Sequence, residues 1–158
     1  MVFMVSKKYQ VTREQIRDAA LSMRGVPFRH QGRSMNGVDC VGLLYVVLQA
    51  VNYPAIIDVE GYRVSPPASV ILETMRANFD EIPLSDAGLG DIYLMRIGGR
   101  KPKHASIIVN TTREIEKGIE PEILHAYGHG GKGKVVVDAF ETWRTRCVYA
   151  FRLKGLTV

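Results

Sequence analysis

The sequence predicts a single α+β domain, with helices in its first half and an antiparallel sheet in its second half. Apolar residues recur at helical spacing in the first half, whereas the second half contains short apolar runs separated by turn residues. A chain of 158 residues can bury one core, and no linker-like stretch divides it. Short strand connections favour antiparallel pairing. We therefore expect one domain over residues 1–158.

The first helix is predicted to begin at Thr12. The Thr12 hydroxyl can accept a hydrogen bond from a free backbone N–H group, and Gln15, three residues later, can complete a capping box. The apolar residues that follow share one helical face; they are Ile16, Ala19, Ala20 and Met23. Gly25 and Pro27 are expected to end this helix.

A second helix is predicted from Cys40 to Val51, after a polar loop over residues 27–37. Asp39 is placed to cap its beginning, and Asn52 marks its end. Because this helix is apolar almost all round, we expect it to be buried. Cys40 would lie in its first turn, where unpaired N–H groups and the helix dipole favour negative charge. We therefore expect the Cys40 thiolate to be stabilised.

A third helix is predicted from Ala68 to Phe79, and strands follow from Asp91 onward. The strands are expected over Ile92 to Ile97, Ala105 to Val109, Ile123 to Tyr127, Val135 to Val137, and Cys147 to Leu153. The charged segment from Thr111 to Glu122 is interpreted as a long hairpin tip. Gly128 to Gly133, which includes His129, is interpreted as a flexible loop near the site.

Cys40 and two downstream histidines allow two interpretations. An isolated cysteine followed by apolar residues is commonly a small buried hydrophobe. His104 follows basic residues and fits a solvated turn, and His125 fits a satisfied core histidine. Many thiol hydrolases, however, supply a nucleophile, a base and an orienting residue in the order cysteine, histidine, polar residue. The residues alone leave both interpretations open.

Composition excludes several classes of protein. The two cysteines, Cys40 and Cys147, form neither a disulfide framework nor a zinc-finger spacing. The net charge of +5 is scattered, without the aromatic-interleaved basic stripe of a nucleic-acid-binding protein, and favours only a general attraction to polyanions. We expect no cofactor, no resident metal and no membrane span. The order of apolar and basic residues at the beginning does not fit a secretory signal, so we expect synthesis in the cytoplasm.

Four segments together resemble the NlpC family of papain-like cysteine peptidases, which cut the stem peptides of peptidoglycan. They are Gly25-Val26-Pro27-Phe28 with Gly32, Gly37-Val38-Asp39-Cys40-Val41-Gly42, Gly90-Asp91-Ile92-Tyr93-Leu94 with His104, and Leu124-His125-Ala126. The resemblance implies that Cys40 is the nucleophile, His104 the general base and His125 the residue that orients the imidazole. It also implies cleavage of the bond between D-glutamate and a diamino acid. The residues expected to contact substrate are Phe28, His30, Gln31, Asp39, Tyr62 and Tyr127.

The chain departs from the family pattern at the approach to Cys40. Phe28 stands where many members carry a tyrosine, and Tyr62 is a candidate source of that missing hydroxyl. The sequence around Cys40 looks most like a branch of this family that is found in bacteriophages and prophages. This resemblance implies tail proteins as partners and a place in the virion. The alternatives are an amidase or acyltransferase on another substrate, a structural tail protein with a decayed site, and a metal site built from Cys40, His104, His125 and His129.

Overall fold

The structure is a computed structural model that describes residues 10–55, 67–110, 121–129 and 132–157. These residues contain three α-helices, which are α1 (Arg13–Leu21), α2 (Cys40–Ala50) and α3 (Ala68–Asn78). They also contain ten strands, which are β1 (Val11–Thr12), β2 (Arg33–Ser34), β3 (Gly37–Val38), β4 (Phe79–Ile82), β5 (Ile92–Arg96), β6 (Pro102–Ile108), β7 (Glu122–His129), β8 (Lys132–Ala139), β9 (Cys147–Leu153) and β10 (Leu156–Thr157).

Six of the strands form one sheet in the order β4-β9-β5-β6-β7-β8. Each neighbouring pair in this sheet is antiparallel. The strands β1 and β10 pair in parallel, and β2 pairs with β3 as a short antiparallel ladder before α2. The predicted α+β architecture, with helices followed by an antiparallel sheet, is confirmed.

Local capping chemistry fixes the beginnings of the first two helices. The Thr12 hydroxyl accepts a hydrogen bond from the backbone N–H of Gln15, whose side chain accepts one from the Thr12 backbone, so the predicted capping box is present. Asp39 caps α2 as predicted. A cap of this kind typically stabilises a helix by about 1 kcal/mol.

The central helix α2 is buried, as its apolar sequence predicts. Leu43 and Val47 are fully buried, and they belong to a core that α2 forms with α1, α3 and one face of the sheet. A second, smaller apolar cluster includes Tyr93, Met95 and Trp143. None of the described helices has the length and apolarity to cross a membrane.

Asp91, from the Gly90-Asp91 segment singled out above, joins three parts of the fold. Its carboxylate is fully buried and accepts hydrogen bonds from Arg152 at 2.9 and 3.1 Å and from the backbone N–H of Gly88 at 2.9 Å. Arg13 of α1 lies 3.4 Å from it and donates to the Leu89 carbonyl at 2.6 Å. A buried carboxylate needs such partners, because an unpaired buried charge is strongly destabilising.

Two predictions about the chain's connections are wrong. The segment from Gly128 to Gly133 was predicted to be a flexible loop, but both of its ends belong to strands. The ladder between β7 and β8 includes the pair Gly128 and Gly133 and the pair His129 and Lys132. Phe79 begins β4, which pairs with β9, instead of ending α3. The interior of the predicted hairpin tip, residues 111–120, lies outside the described residues.

Candidate active site

Asp39 connects the beginning of α2 to the polar loop before it. Its Oδ1 atom accepts hydrogen bonds from the Gly42 N–H at 2.8 Å and from Arg33 Nη1 at 3.0 Å. Its Oδ2 atom accepts the N–H of Gln31 at 2.9 Å. The carboxylate is buried among these groups, so its observed role is to hold the loop against the helix that begins at Cys40.

Gly42 allows the loop to come this close. A Cβ atom built on Gly42 would lie 1.8 Å from the carbonyl oxygen of Gly32, a distance that no side chain can occupy. The glycine two residues after Cys40 is therefore explained by the close approach of the Gly32 backbone to the first turn of α2.

The Cys40 thiol lies against the backbone on both sides of His104. It donates a hydrogen bond to the Lys103 carbonyl, with 3.6 Å between Sγ and oxygen. Burial of the sulfur, which is the largest cause, and the negative charge of Asp39 together raise the pKa of Cys40 to about 11, against a smaller opposing effect of the Ala105 N–H. The expected stabilisation of the thiolate is thus wrong for this structure, because desolvation outweighs the N–H groups at the helix start.

The register of the sheet brings His104 and His125 to one face. Ile108 pairs with Ile123, so the alternation of side chains places His104 of β6 and His125 of β7 on the same face. Nε2 of His104 and Nδ1 of His125 are 2.7 Å apart, a hydrogen-bond distance. The sequence predicted these two residues as a functional pair, and the structure brings them together.

Both imidazoles are buried and favour their neutral forms. His104 is 8% exposed and His125 is fully buried. Burial and, to a smaller extent, the charge of His125 together lower the pKa of His104 to about 3. Burial also lowers the pKa of His125, although the carboxylate of Asp138 opposes this shift.

Asp138 and Trp143 complete this cluster, and sequence reasoning missed both. Asp138 Oδ2 lies 2.7 Å from Nε2 of His125 and 3.3 Å from Nε1 of Trp143. The Trp143 ring contacts the His125 ring edge-on at 4.9 Å between centroids and stacks on His104 at 6.4 Å. Asp138 pairs with Ile123 in the ladder, which places it on the face that carries His125. Asp138 could have been identified only from the register of the strands, which cannot be read from the sequence.

Cys40 and His104 are neighbours without a direct hydrogen bond. Among the described residues, the thiol bonds to the Lys103 backbone and His104 bonds through Nε2 to His125. The Nδ1 atom is thus the nitrogen of His104 that His125 leaves available. With the Cys40 pKa raised and the His104 pKa lowered, the resting pair is a neutral thiol and a neutral imidazole.

The residues expected to contact substrate occupy different environments. The half-buried Phe28 ring covers Gly128, where an added Cβ would lie 2.6 Å from it. His30 and Gln31 are exposed on the loop.

Tyr127 is 36% exposed, and its ring lies 5.6 Å from Trp143 and 5.8 Å from His125 between centroids. Tyr62, the candidate source of a hydroxyl, lies outside the described residues.

The described part of the chain places no group of three or more histidine, cysteine, aspartate and glutamate side chains in an arrangement that could hold a metal ion. Cys40 and Cys147 are both free thiols.

Comparisons with known proteins identify a matching family model and two similar solved structures. A family model described as "NlpC/P60 family" matches residues 25–152. No curated protein sequence matches the chain. The crystal structure of the NlpC/p60 domain of peptidoglycan hydrolase SagA is similar, with a TM-score of 0.61 and 22% identity over 90% of this chain and 100% of that one. A lipoprotein-like protein of the NLP/P60 family from Staphylococcus aureus has a TM-score of 0.60 and 19% identity over 97% of this chain and 43% of that one. These likenesses establish the fold.

Proposed function

The chain belongs to the NlpC/P60 family, and on that premise we propose that it is a cysteine peptidase that cuts the stem peptides of peptidoglycan. The observation that carries the proposal is the hydrogen-bonded pair of His104 and His125. The strand that contains His104 contacts the Cys40 thiol, which lies at the start of a buried helix. A similar structure is that of a peptidoglycan hydrolase domain, which motivates the choice of substrate.

In the first step the Cys40 thiol gives its proton to Nδ1 of His104 as its sulfur attacks the bound substrate. For this step the thiol rotates away from the Lys103 carbonyl. The sulfur attacks the carbonyl carbon of the scissile amide, and the backbone N–H of Cys40 stabilises the oxyanion in this proposal. The His104 imidazolium then gives its proton to the leaving amine, and a thioester to Cys40 forms. Water, deprotonated by His104, hydrolyses this thioester and regenerates the thiol.

The neutral resting pair has a consequence for this reaction. A thiol with its pKa near 11 and an imidazole with its pKa near 3 do not form an ion pair at neutral pH. Proton transfer therefore accompanies attack on a bound carbonyl and does not precede binding. His125 holds the His104 ring through the whole sequence of steps, as the third member of a catalytic triad does.

Two narrower proposals rest on the resemblance alone. The first is that the bond cut is the one between D-glutamate and a diamino acid. The second is that the protein acts with phage tail proteins after synthesis in the cytoplasm, so that it should be found by mass spectrometry in purified tail particles. Its absence from particles whose genome encodes it would contradict the second proposal.

The proposal is tested by digesting defined muropeptides and identifying the fragments by mass spectrometry. We expect the wild-type protein to split the stem peptide and Cys40→Ala to leave it intact. The Cys147→Ala variant is the matched control, since it removes the other thiol, and it should cleave like the wild type. Equal cleavage by Cys40→Ala, or intact substrate with the wild type, would overturn the proposal. Turnover of acyl donors unrelated to the cell wall, with muropeptides untouched, would favour an amidase or acyltransferase.

A further inference from the structure

We infer that Asp138 is a positioning residue that fixes which nitrogen of His104 is free to take the proton of Cys40. The inference deepens the proposed peptidase function and rests on it for its catalytic meaning. Its structural basis is the continuous row of contacts from His104 to His125 to Asp138, with 2.7 Å at each step.

The direction of the hydrogen bonds in this row follows from Asp138. An ionised carboxylate only accepts hydrogen bonds, so Nε2 of His125 must carry its proton and donate it to Asp138. Because burial keeps the His125 imidazole neutral, its Nδ1 is then an acceptor. His104 must donate to that acceptor through Nε2, which leaves a lone pair on Nδ1 of His104. That lone pair is the base which the proposed mechanism needs.

Loss of Asp138 would allow the hydrogen bond between His104 and His125 to exchange its donor and its acceptor. His125 protonated at Nδ1 would donate to Nε2 of His104, and neutral His104 would then carry its proton on Nδ1. In that form His104 could not accept the proton of Cys40. A change two hydrogen bonds away from the base would therefore remove its basic nitrogen without moving either ring.

Trp143 fixes the Asp138 carboxylate for this purpose. Its indole Nε1–H, which can only donate, points at the same Oδ2 atom that accepts from His125. The ring also covers His125, which is fully buried, whereas the Asp138 side chain remains 38% exposed. The partial exposure means that substitution of Asp138 is compatible with folding, so its effect on the imidazoles can be measured.

Asparagine and alanine at position 138 separate the two contributions of the carboxylate. In Asp138→Asn the amide oxygen can accept hydrogen bonds from both His125 and Trp143. The direction of the hydrogen bonds from His104 to His125 to residue 138 is therefore kept, and only the negative charge is lost. In Asp138→Ala the acceptor is lost as well. Glu141→Gln is the matched control, because Glu141 is an exposed carboxylate nearby in the sequence that pairs with Arg144.

The first test reads the protonated nitrogens by NMR of the ¹⁵N-labelled full chain, without substrate. We expect His104 and His125 to be protonated at Nε2 in the wild type, in Asp138→Asn and in Glu141→Gln. In Asp138→Ala, the Nδ1-protonated form should appear at both histidines. Protonation of His125 at Nδ1 in the wild type, or unchanged tautomers in Asp138→Ala, would overturn the inference. Because no substrate is involved, this result stands or fails independently of the proposed function.

The second test follows muropeptide cleavage. We expect kcat to fall about 10- to 100-fold in Asp138→Ala and less than about 10-fold in Asp138→Asn, with KM little changed, since a group that transfers the proton itself contributes about 10²- to 10⁴-fold. Glu141→Gln should keep the wild-type kcat. A kcat in Asp138→Ala equal to that of the wild type, or equal losses in Asp138→Asn and Asp138→Ala, would overturn the inference. A wild type that is inactive on every stem peptide contradicts the proposed function instead.

Discussion

The buried His104 imidazole should make the protein lose stability in mild acid. Burial lowers its pKa from the ordinary 6.5 to about 3. Between these two values the unfolded chain binds a proton that the folded chain does not, so stability is full above about pH 6.5 and is lost as the pH falls. The slope approaches about 1.4 kcal/mol per pH unit, and the loss between about pH 8 and about pH 5 is about 2 kcal/mol for His104 alone. The lowered pKa of His125 adds a loss of the same sign.

The assay is urea unfolding at several pH values across this range, with His104→Gln compared with the wild type. Glutamine does not titrate, so the dependence of the unfolding free energy on pH should be shallower in the variant, whatever its absolute stability. Ser106→Ala is the matched control, because Ser106 is fully buried on the same strand and face. It should keep the wild-type slope. An equally steep slope in His104→Gln would refute the argument that His104 is buried in its neutral form.

Three further predictions concern the surroundings of the site. Gly42→Ala should destabilise the fold by about 1–3 kcal/mol, because its Cβ would meet the Gly32 carbonyl oxygen, whereas Gly99→Ala, with no atom near its Cβ, should be close to neutral; thermal unfolding measures both. Asp91→Asn should cost about 3 kcal/mol in urea unfolding, since two arginines lose a buried partner, whereas Asp80→Asn at an exposed ion pair should cost less than about 1 kcal/mol. Alkylation of Cys40, followed by peptide mapping, should be slower at neutral pH than that of an unstructured thiol and should accelerate up to about pH 11. Equal unfolding temperatures for the two glycine variants, equal costs for the two aspartate variants, or fast alkylation at neutral pH would each contradict the corresponding argument.

The parts of the fold that sequence reasoning predicted are those decided by local chemistry. The capping box at Thr12 and the cap at Asp39 depend on residues within three positions, and both are present. The burial of α2 follows from a sequence that is apolar on nearly every face. Phe79 was assigned to the wrong element because its apolar side chain continues the helical period, while its pairing with Leu153 depends on a distant strand.

Residues of the site could be predicted from their order along the chain. Features of the site that depend on strand register or on burial could not. His104 and His125 were predicted from the order cysteine, histidine, polar residue together with the resemblance to the NlpC family. Asp138 becomes their neighbour only through the pairing of β7 with β8. The glycines at 128 and 133 suggested a loop, whereas Gly128 lies in a strand and leaves room for the Phe28 ring. The charge state of Cys40 was misjudged because the sequence reveals its place in a helix but not the desolvation of its sulfur.

The central claim is that Cys40 forms a covalent bond to the acyl half of a stem peptide. Mass spectrometry of the intact protein, in a muropeptide digestion quenched with acid during turnover, tests this most directly. We expect an added mass equal to the acyl fragment, mapped by proteolysis to the peptide that contains Cys40 and lost in Cys40→Ala. An adduct on any other residue, or muropeptide cleavage that continues in Cys40→Ala, would contradict it.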